Sequence, residues 1–274
     1  MSSVIDSVVS TVLGKVGAEA SSRRFIIGVS GPQGSGKTTV TQAAAKQLQD
    51  THKISTLALS LDDYYLPHEE LQAIAKQGNP LLQHRGLPGT HDTALLRQFC
   101  DDFLNSGNVD GLTVPVYDKS LHSGAGDRVG LAKIPRNCQV VLLEGWMLGF
   151  RPLPIEEITG KAQFVANATL NPSEDNISEI NSSLGGYVPI WNCIHLWARL
   201  VPASLDYIYT WRLSQEHKMI ASKGSGMTDA QVSAFVDQYM PCYKLYTSTL
   251  DKLPGDTLAF ELNIDHQATR ITQM

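Results

Sequence analysis

The residues best equipped for chemistry sit in one short run, Gly31-Pro32-Gln33-Gly34-Ser35-Gly36-Lys37-Thr38, followed by Thr39. The run fits the pattern GxxxxGK[ST] without a mismatch. Its glycines let the backbone turn tightly and bring N–H groups within reach of phosphate oxygens. A helix beginning at the end of the run points its positive N-terminus at the same anion. Lys37 adds a mobile point charge for the β- and γ-phosphates, and Thr38 adds a hydroxyl for Mg2+. Residues 31–39 are therefore expected to bind a nucleoside triphosphate with Mg2+, and the motif alone leaves a kinase, an ATPase and a GTPase open. The competing reading is a Gly-rich turn without a ligand. The apolar strand before it and the helical pattern after it count against that.

Carboxylates stand where such a site needs them. Ser60-Leu61-Asp62-Asp63-Tyr64-Tyr65 follows one apolar run, and Glu144-Gly145-Trp146 follows another, Val140 to Leu143. Ligands of parallel sheets collect at the carboxyl ends of the strands. Glu144 there can hold Mg2+ directly or through water. Asp62 can take the proton of an acceptor hydroxyl, while Asp63 reads as a cap or a supporting group. The chain contains no Asn-Lys pair, so the guanine-reading Asn-Lys-x-Asp motif is missing, and it has no Leu-Ser-Gly-Gly-Gln signature. Asp127-Arg-Val-Gly130 matches DxxG formally but does not directly follow an apolar strand. A kinase fits these patterns better than a GTPase or a transporter ATPase.

Something must hold these groups together. Apolar runs predict strands over 24–30, 54–60, 139–143, 205–211 and 257–264. Helical spacing predicts helices over 38–49, 91–104, 213–221 and 228–239, with a short one near 69–77 inside a loop rich in Pro and Gly. Strands alternating with helices indicate an α/β domain whose mostly parallel sheet is covered on both faces. Residues 166–200 are polar, then Trp-rich, and read as a lid or a helical excursion. Trp146, Trp191, Trp197 and Trp211 read as packing aromatics. Ile5, Val8, Val9, Val12, Leu13 and Val16 recur at helical spacing. They predict an amphipathic N-terminal helix in an extension, 1–23, ahead of a kinase domain, 24–274. An organellar presequence is disfavoured by Asp6 and by the lack of Arg before Arg23.

Composition removes other classes. The chain has 274 residues, 42% hydrophobic and 18% charged, which excludes wholesale disorder. Lys plus Arg is 22 against 27 for Asp plus Glu, a net charge of −5 that suits no dedicated nucleic-acid binder. No apolar run approaches the roughly 20 residues needed to span a bilayer. The four cysteines, Cys100, Cys138, Cys193 and Cys242, form no CxxC pair and suit a reducing compartment. The expectation is a cytoplasmic protein, with the nucleus also open, that needs no membrane, nucleic acid or obligatory protein partner.

Several longer motifs add a resemblance. Ser60 to Tyr65 with Leu143-Glu144-Gly145 resembles the uridine kinase, phosphoribulokinase and pantothenate kinase superfamily. Arg85-Gly-Leu-Pro-Gly-Thr-His-Asp92, Tyr117-Asp-Lys-Ser-Leu-His-Ser-Gly-Ala-Gly-Asp-Arg128, Glu144 to Phe150 and Trp211-Arg-Leu-Ser-Gln-Glu216 resemble the plant D-glycerate 3-kinase group and its fungal relatives. Gly226-Met-Thr-Asp229 and Phe235 to Pro241 extend the likeness over nearly the whole chain from Arg24. It implies a three-layer P-loop NTPase fold, α/β with a mostly parallel central sheet and a helical lid. It also implies phosphoryl transfer from ATP to a hydroxyl of a small acceptor, D-glycerate being the type case. By the same resemblance Asp62 is the base, and Lys37, Thr38 and Glu144 hold phosphates and Mg2+. Arg212 belongs to a lid near the phosphates, with Lys223 a second lid cation. Arg85, His91, Tyr117, Asp118 and Arg128 line the acceptor pocket, and arginines suit a carboxylic acid acceptor.

Structural readings stand beside these roles. Arg85 and Arg128 can be ion-pair partners, His91 can cap the following helix, and Arg212 can pair with Glu216 at i,i+4. His122 stands where the plant enzymes have Tyr, which leaves the acceptor open. The alternatives are a kinase for another sugar acid or a nucleoside, or an ATP-binding regulatory protein without transfer.

Overall fold

The structure, a computed structural model, describes residues 1–18, 23–167 and 169–274. Six strands form the central sheet: β1 (Phe25–Ser30), β2 (Thr56–Ser60), β5 (Val140–Gly145), β6 (Leu196–Pro202), β7 (Asp256–Leu262) and β8 (Ala268–Gln273). Their order is β2-β5-β1-β6-β7-β8, parallel throughout except that β8 runs antiparallel to β7. β3 (Thr113–Asp118) and β4 (Asp127–Lys133) form a separate antiparallel hairpin. The helices are α1 (Ser2–Ala18), α2 (Lys37–Asp50), α3 (His68–Ala75), α4 (Thr93–Asn105), α5 (Ile155–Ile158), α6 (Ala162–Val165), α7 (Glu174–Leu184), α8 (Val188–Trp191), α9 (Tyr207–Lys223), α10 (Asp229–Asp237) and α11 (Met240–Tyr246).

Side-chain alternation along the strands creates two cores, one on each face of the sheet. Phe25, Ile27, Val29, Val140, Leu142, Leu196 and Ala198 point to one face, where Val40, Ala44 and Leu48 of α2 meet them. Val4, Val8, Val9 and Val12 of α1 complete that core and are buried. Each fully buried aliphatic side chain contributes about 1.5–3 kcal/mol. Ile26, Val141, Leu143 and Trp197 point to the opposite face and pack with Phe99 of α4, Ile177 of α7 and Tyr243 of α11. The result is helix, sheet and helix in three layers, as expected from the alternation of strands and helices.

One element falls elsewhere than the apolar pattern predicts. Residues 205–211 are not a strand. The strand is β6, nine residues earlier at its start, inside the Trp-rich part of the segment read as a lid or excursion. Leu196 to Val201 pair with β7 on one side, and Leu196 to Arg199 pair with β1 on the other. A turn then intervenes: Ser204 Oγ accepts from the Asp206 N–H at 3.2 Å, and the Ser204 carbonyl accepts from Tyr207 N–H at 3.2 Å. Ile208 and Trp211 of α9 are both buried, Ile208 in the core with Trp197 and Tyr243 and Trp211 in the core with Phe25 and Leu200. Arg212 therefore sits on a helix and not at a strand end. The expected helix at 91 starts instead at Thr93, capped by Asp92, whose Oδ1 accepts from Leu95 N–H at 2.9 Å.

Candidate active site

The 31–38 loop joins β1 to α2. Gly34 and Gly36 have φ of 76° and 93°, a region that favours glycine. A Cβ on Gly34 would lie 2.6 Å from Trp211 Cβ, so this loop can pack against α9 only without a side chain there. His266, in the turn after β7, closes the far side: its ring Nε2 is 2.8 Å from the Gly34 carbonyl oxygen, and it stacks on Trp211. The Gln33 N–H donates to the Tyr243 hydroxyl at 3.1 Å, which in turn donates to Gln33 Oε1. Ser35 Oγ is buried without a hydrogen-bond partner. Lys37 Nζ is buried and donates to the Pro32 carbonyl at 2.8 Å. Burial pushes the Lys37 ammonium pKa down, and the negative charges of Glu144 and Asp62 oppose that. Thr39 lies exposed on the first turn of α2.

Glu144 ends β5 beside the loop, because β1 and β5 are direct parallel neighbours with Val29 opposite Glu144. Its Oε1 accepts from Thr38 Oγ1 at 3.2 Å and from Ser60 Oγ at 3.0 Å. Thr38 and Glu144 thus offer an all-oxygen donor set at the carboxyl edge of the sheet. That set fits Mg2+, a hard cation that takes a few protein oxygens together with phosphate.

Ser60 also opens the single helical turn Leu61–Tyr64 that carries both aspartates. Ser60 Oγ accepts from the Asp62 N–H, and Asp63 Oδ2 accepts from the Ser60 N–H at 3.3 Å. Ser60 is therefore the N-cap and Asp63 its capping-box partner. Burial pushes the Asp63 carboxyl up to about 6 against the Ser60 hydrogen bond. Asp62 faces the other way. Tyr65 OH donates to its Oδ1 at 3.0 Å, and Lys119 Nζ donates to its Oδ2 at 2.5 Å. Burial alone would raise the Asp62 carboxyl, but the Lys119 charge and hydrogen bond prevail and hold it below its ordinary value.

His91 lies behind this pair and does not cap α4. Its Nδ1 is 2.9 Å from Tyr187 OH, its ring stacks on Tyr65 at 4.4 Å, and its Nε2 is buried without a partner. Burial lowers its pKa to about 4, so the ring is neutral at pH 7. Tyr117 follows a bulge in β3 and meets Tyr65 edge-on at 5.3 Å. Burial raises its phenol, with Arg85 opposing. Arg85 lies over the Tyr65 and Tyr117 rings and donates to the Gly124 and Ala125 carbonyls, so it clasps the hairpin turn.

Two expected acceptor residues have partners within the protein. Asp118 Oδ1 accepts from Ser120 N–H at 2.8 Å and Ser120 Oγ at 2.6 Å, which ties that oxygen to the turn. Arg128 pairs with Asp92 Oδ2 at 3.3 Å and donates to the Tyr65 carbonyl at 3.0 Å, so it braces the Asp62 segment from behind. Arg212 forms the i,i+4 pair with Glu216, at 2.7 Å, and its guanidinium lies 5.2 Å over the Phe235 ring on α10. The side chain of Lys223 lies outside the described residues. Lys119 is the site residue that motif reading missed. Its only signal is its place inside the Tyr117 to Arg128 segment.

A phosphate loop, a carboxylate-hydroxyl pair for a cation and a second carboxylate within one sheet edge define a P-loop phosphotransferase. No family model matches the chain. A kinase of Schizosaccharomyces pombe, named uncharacterized kinase mug58, is 39% identical over 234 residues, covering 83% of each chain. The chloroplastic D-glycerate 3-kinase of Arabidopsis thaliana is 36% identical over 234 residues, which is 82% of this chain and 48% of the longer plant chain. The structure of D-glycerate 3-kinase from Cryptococcus neoformans superposes with a TM-score of 0.89 at 33% identity, covering 98% of this chain and 99% of that one. The chain belongs to the D-glycerate 3-kinase group of P-loop kinases, ATP-dependent small-molecule kinases that phosphorylate an alcohol.

Proposed function

We propose that the chain transfers the γ-phosphoryl group of ATP to a hydroxyl of D-glycerate, with Mg2+ held by Thr38 and Glu144. The observation that carries this reading is Asp62: an ionised carboxylate at the end of β2, flanked by Tyr65 and by a lysine, on a sheet edge shared with the phosphate loop. The names of the relatives support the acceptor, and the cations Lys119 and Arg85 near Asp62 suit an acid.

The loop amides and Lys37 grip the triphosphate. Bound Mg2+ neutralises charge on its phosphate oxygens. Asp62 orients the acceptor hydroxyl and receives its proton, and Tyr65 fixes the carboxylate by its hydrogen bond to Oδ1. His91, neutral and with a free buried Nε2, gives the acceptor a second hydrogen-bond partner. α9 and α10 act as the lid. Arg212 leaves or shares Glu216 to meet the equatorial oxygens, and closure excludes water, since hydrolysis competes with transfer. Positioning and electrostatics do most of the work.

The four free cysteines support a reducing compartment, the cytoplasm. No described helix is long and apolar enough to cross a membrane. The acceptor is tested by ATP turnover against hydroxy acids, sugars and nucleosides. Stimulation by D-glycerate alone is the expected result. Stimulation by a nucleoside instead overturns the acceptor, and slow hydrolysis indifferent to every acceptor overturns transfer itself.

A further inference from the structure

The β3–β4 turn carries a cation whose placement has a consequence for acceptor choice. Asp62 is the only hydrogen-bond partner of Lys119 among the described residues. The Lys119 side chain is 55% exposed and the Asp62 side chain 26%. With Tyr65 on Oδ1 and Lys119 on Oδ2, both oxygens of the base are engaged. A carboxylate oxygen can accept two hydrogen bonds, as Glu144 Oε1 does, so a hydroxyl that joins Oδ2 meets the ammonium already on it.

The neighbouring cations are held more firmly. Arg85 is fixed by two backbone carbonyls and two aromatic rings, and Arg128 by Asp92 and the Tyr65 carbonyl. Lys119 differs from both. It is a compact charge on a flexible four-carbon stem with three donors. Asp118 and Ser120 pin the backbone on either side of it, so the side chain is the part free to swing.

We propose that Lys119 is the specificity-determining residue of the acceptor site, handing its ammonium from Asp62 to the carboxylate of an incoming hydroxy acid and so freeing Asp62 Oδ2 for the hydroxyl. The exchange gives the ammonium one carboxylate partner in place of another and leaves Asp62 with the Tyr65 hydroxyl and the incoming hydroxyl as its donors. A neutral acceptor of the same shape offers no such exchange. It leaves the ammonium on Asp62 Oδ2 beside its hydroxyl and gains no ionic contact of its own, and that difference is what discriminates between the two acceptors. The proposal rests on the reading that the acceptor is a hydroxy acid.

The experiment compares wild type, Lys119→Met and Lys119→Arg with D-glycerate and with glyceramide, its neutral amide, at saturating ATP and Mg2+. In wild type kcat/KM favours D-glycerate. In Lys119→Met the ratio of the two kcat/KM values falls by roughly ten- to hundredfold, the worth of one charged hydrogen bond, and the fall lies mainly in the KM for D-glycerate. Lys119→Arg restores most of the ratio. A Lys119→Met enzyme that keeps the wild-type ratio, or loses both acceptors equally, overturns the proposal, because a lysine that merely braces Asp62 would do either. The acceptor assignment fails separately, and visibly, if wild type ignores D-glycerate. The ratio is then read on the acceptor it does use and on that acceptor's neutral amide or ester. An acceptor with no anionic group sinks the Lys119 proposal too, as does a wild type that phosphorylates nothing.

Discussion

Asp62 and Asp63 are chemically identical neighbours, yet the fold treats them in opposite ways. Lys119 and Tyr65 keep Asp62 ionised, whereas burial pushes Asp63 up to about 6. For Asp62 the consequence is catalytic. kcat/KM for the acceptor, which reports the free enzyme, should stay level as pH falls through 5 and drop only below the ordinary carboxylate range, about 4. For Asp63 the consequence is stability. Its carboxyl binds a proton near pH 6 when folded and near 3.8 when unfolded, so its contribution to stability rises as pH falls from about 7 toward 4. Asp63→Asn keeps an acceptor for the Ser60 N–H but removes that titration. Thermal melts at pH 7.5 and pH 5 should show the variant gaining relative to wild type at the higher pH and losing the advantage at the lower. An unchanged difference between the two pH values would mean that Asp63 is not strained by burial. At this scale the sequence was informative where spacing is short. Lys37, Thr38, Asp62 and Glu144 lie in compact motifs at strand ends. Arg128 with Asp92 and Lys119 with Asp62 are pairs made by the fold across 36 and 57 residues, and no local pattern announces them.

At the scale of elements, β1 and β5 read as continuous apolar runs because each has neighbours on both edges and core on both faces, while β7 alternates, with Leu258, Phe260 and Leu262 in one core. The β3–β4 hairpin went unread for the opposite reason: Val129 and Leu131 are 52% and 67% exposed, and its Gly and charged residues break any alternation. β6 fell in the segment read as a lid or excursion, and the start of α9 read as the strand because Leu205, Tyr207, Ile208, Tyr209 and Trp211 are apolar or aromatic; only the Ser204–Asp206 turn separates the two elements. That separation matters, since it brings the first turns of α9 onto the phosphate loop. Gly34→Ala tests the contact. The new methyl would meet Trp211 Cβ at 2.6 Å from a residue with φ of 76°. The expected cost is on the order of 1–3 kcal/mol, accompanied by weaker ATP binding. Calorimetric titration with ATP and a thermal melt check both, and wild-type values in the two measurements would show that α9 does not bear on the loop.

Across the whole molecule, two cores on opposite faces of one sheet hold the site, and α1 belongs to the second of them. Val8 is fully buried there, so Val8→Asp should lower Tm and activity together by burying an unpaired carboxylate. A melt unchanged from wild type would mark α1 as a dispensable extension. Charge also reads differently at this scale. The net charge is −5, yet Lys37, Lys119 and Arg85 converge near Asp62 and the phosphate loop, which gives anionic ligands a local attraction inside a negative total. The central claim is that Asp62 takes the acceptor proton while the loop holds ATP independently of it. Its most direct measurement is single-turnover transfer of phosphoryl from ATP to D-glycerate by Asp62→Asn, read beside ATP affinity. The account predicts ATP binding like that of wild type, with transfer slower by on the order of 10²- to 10⁴-fold. Transfer at the wild-type rate would contradict it.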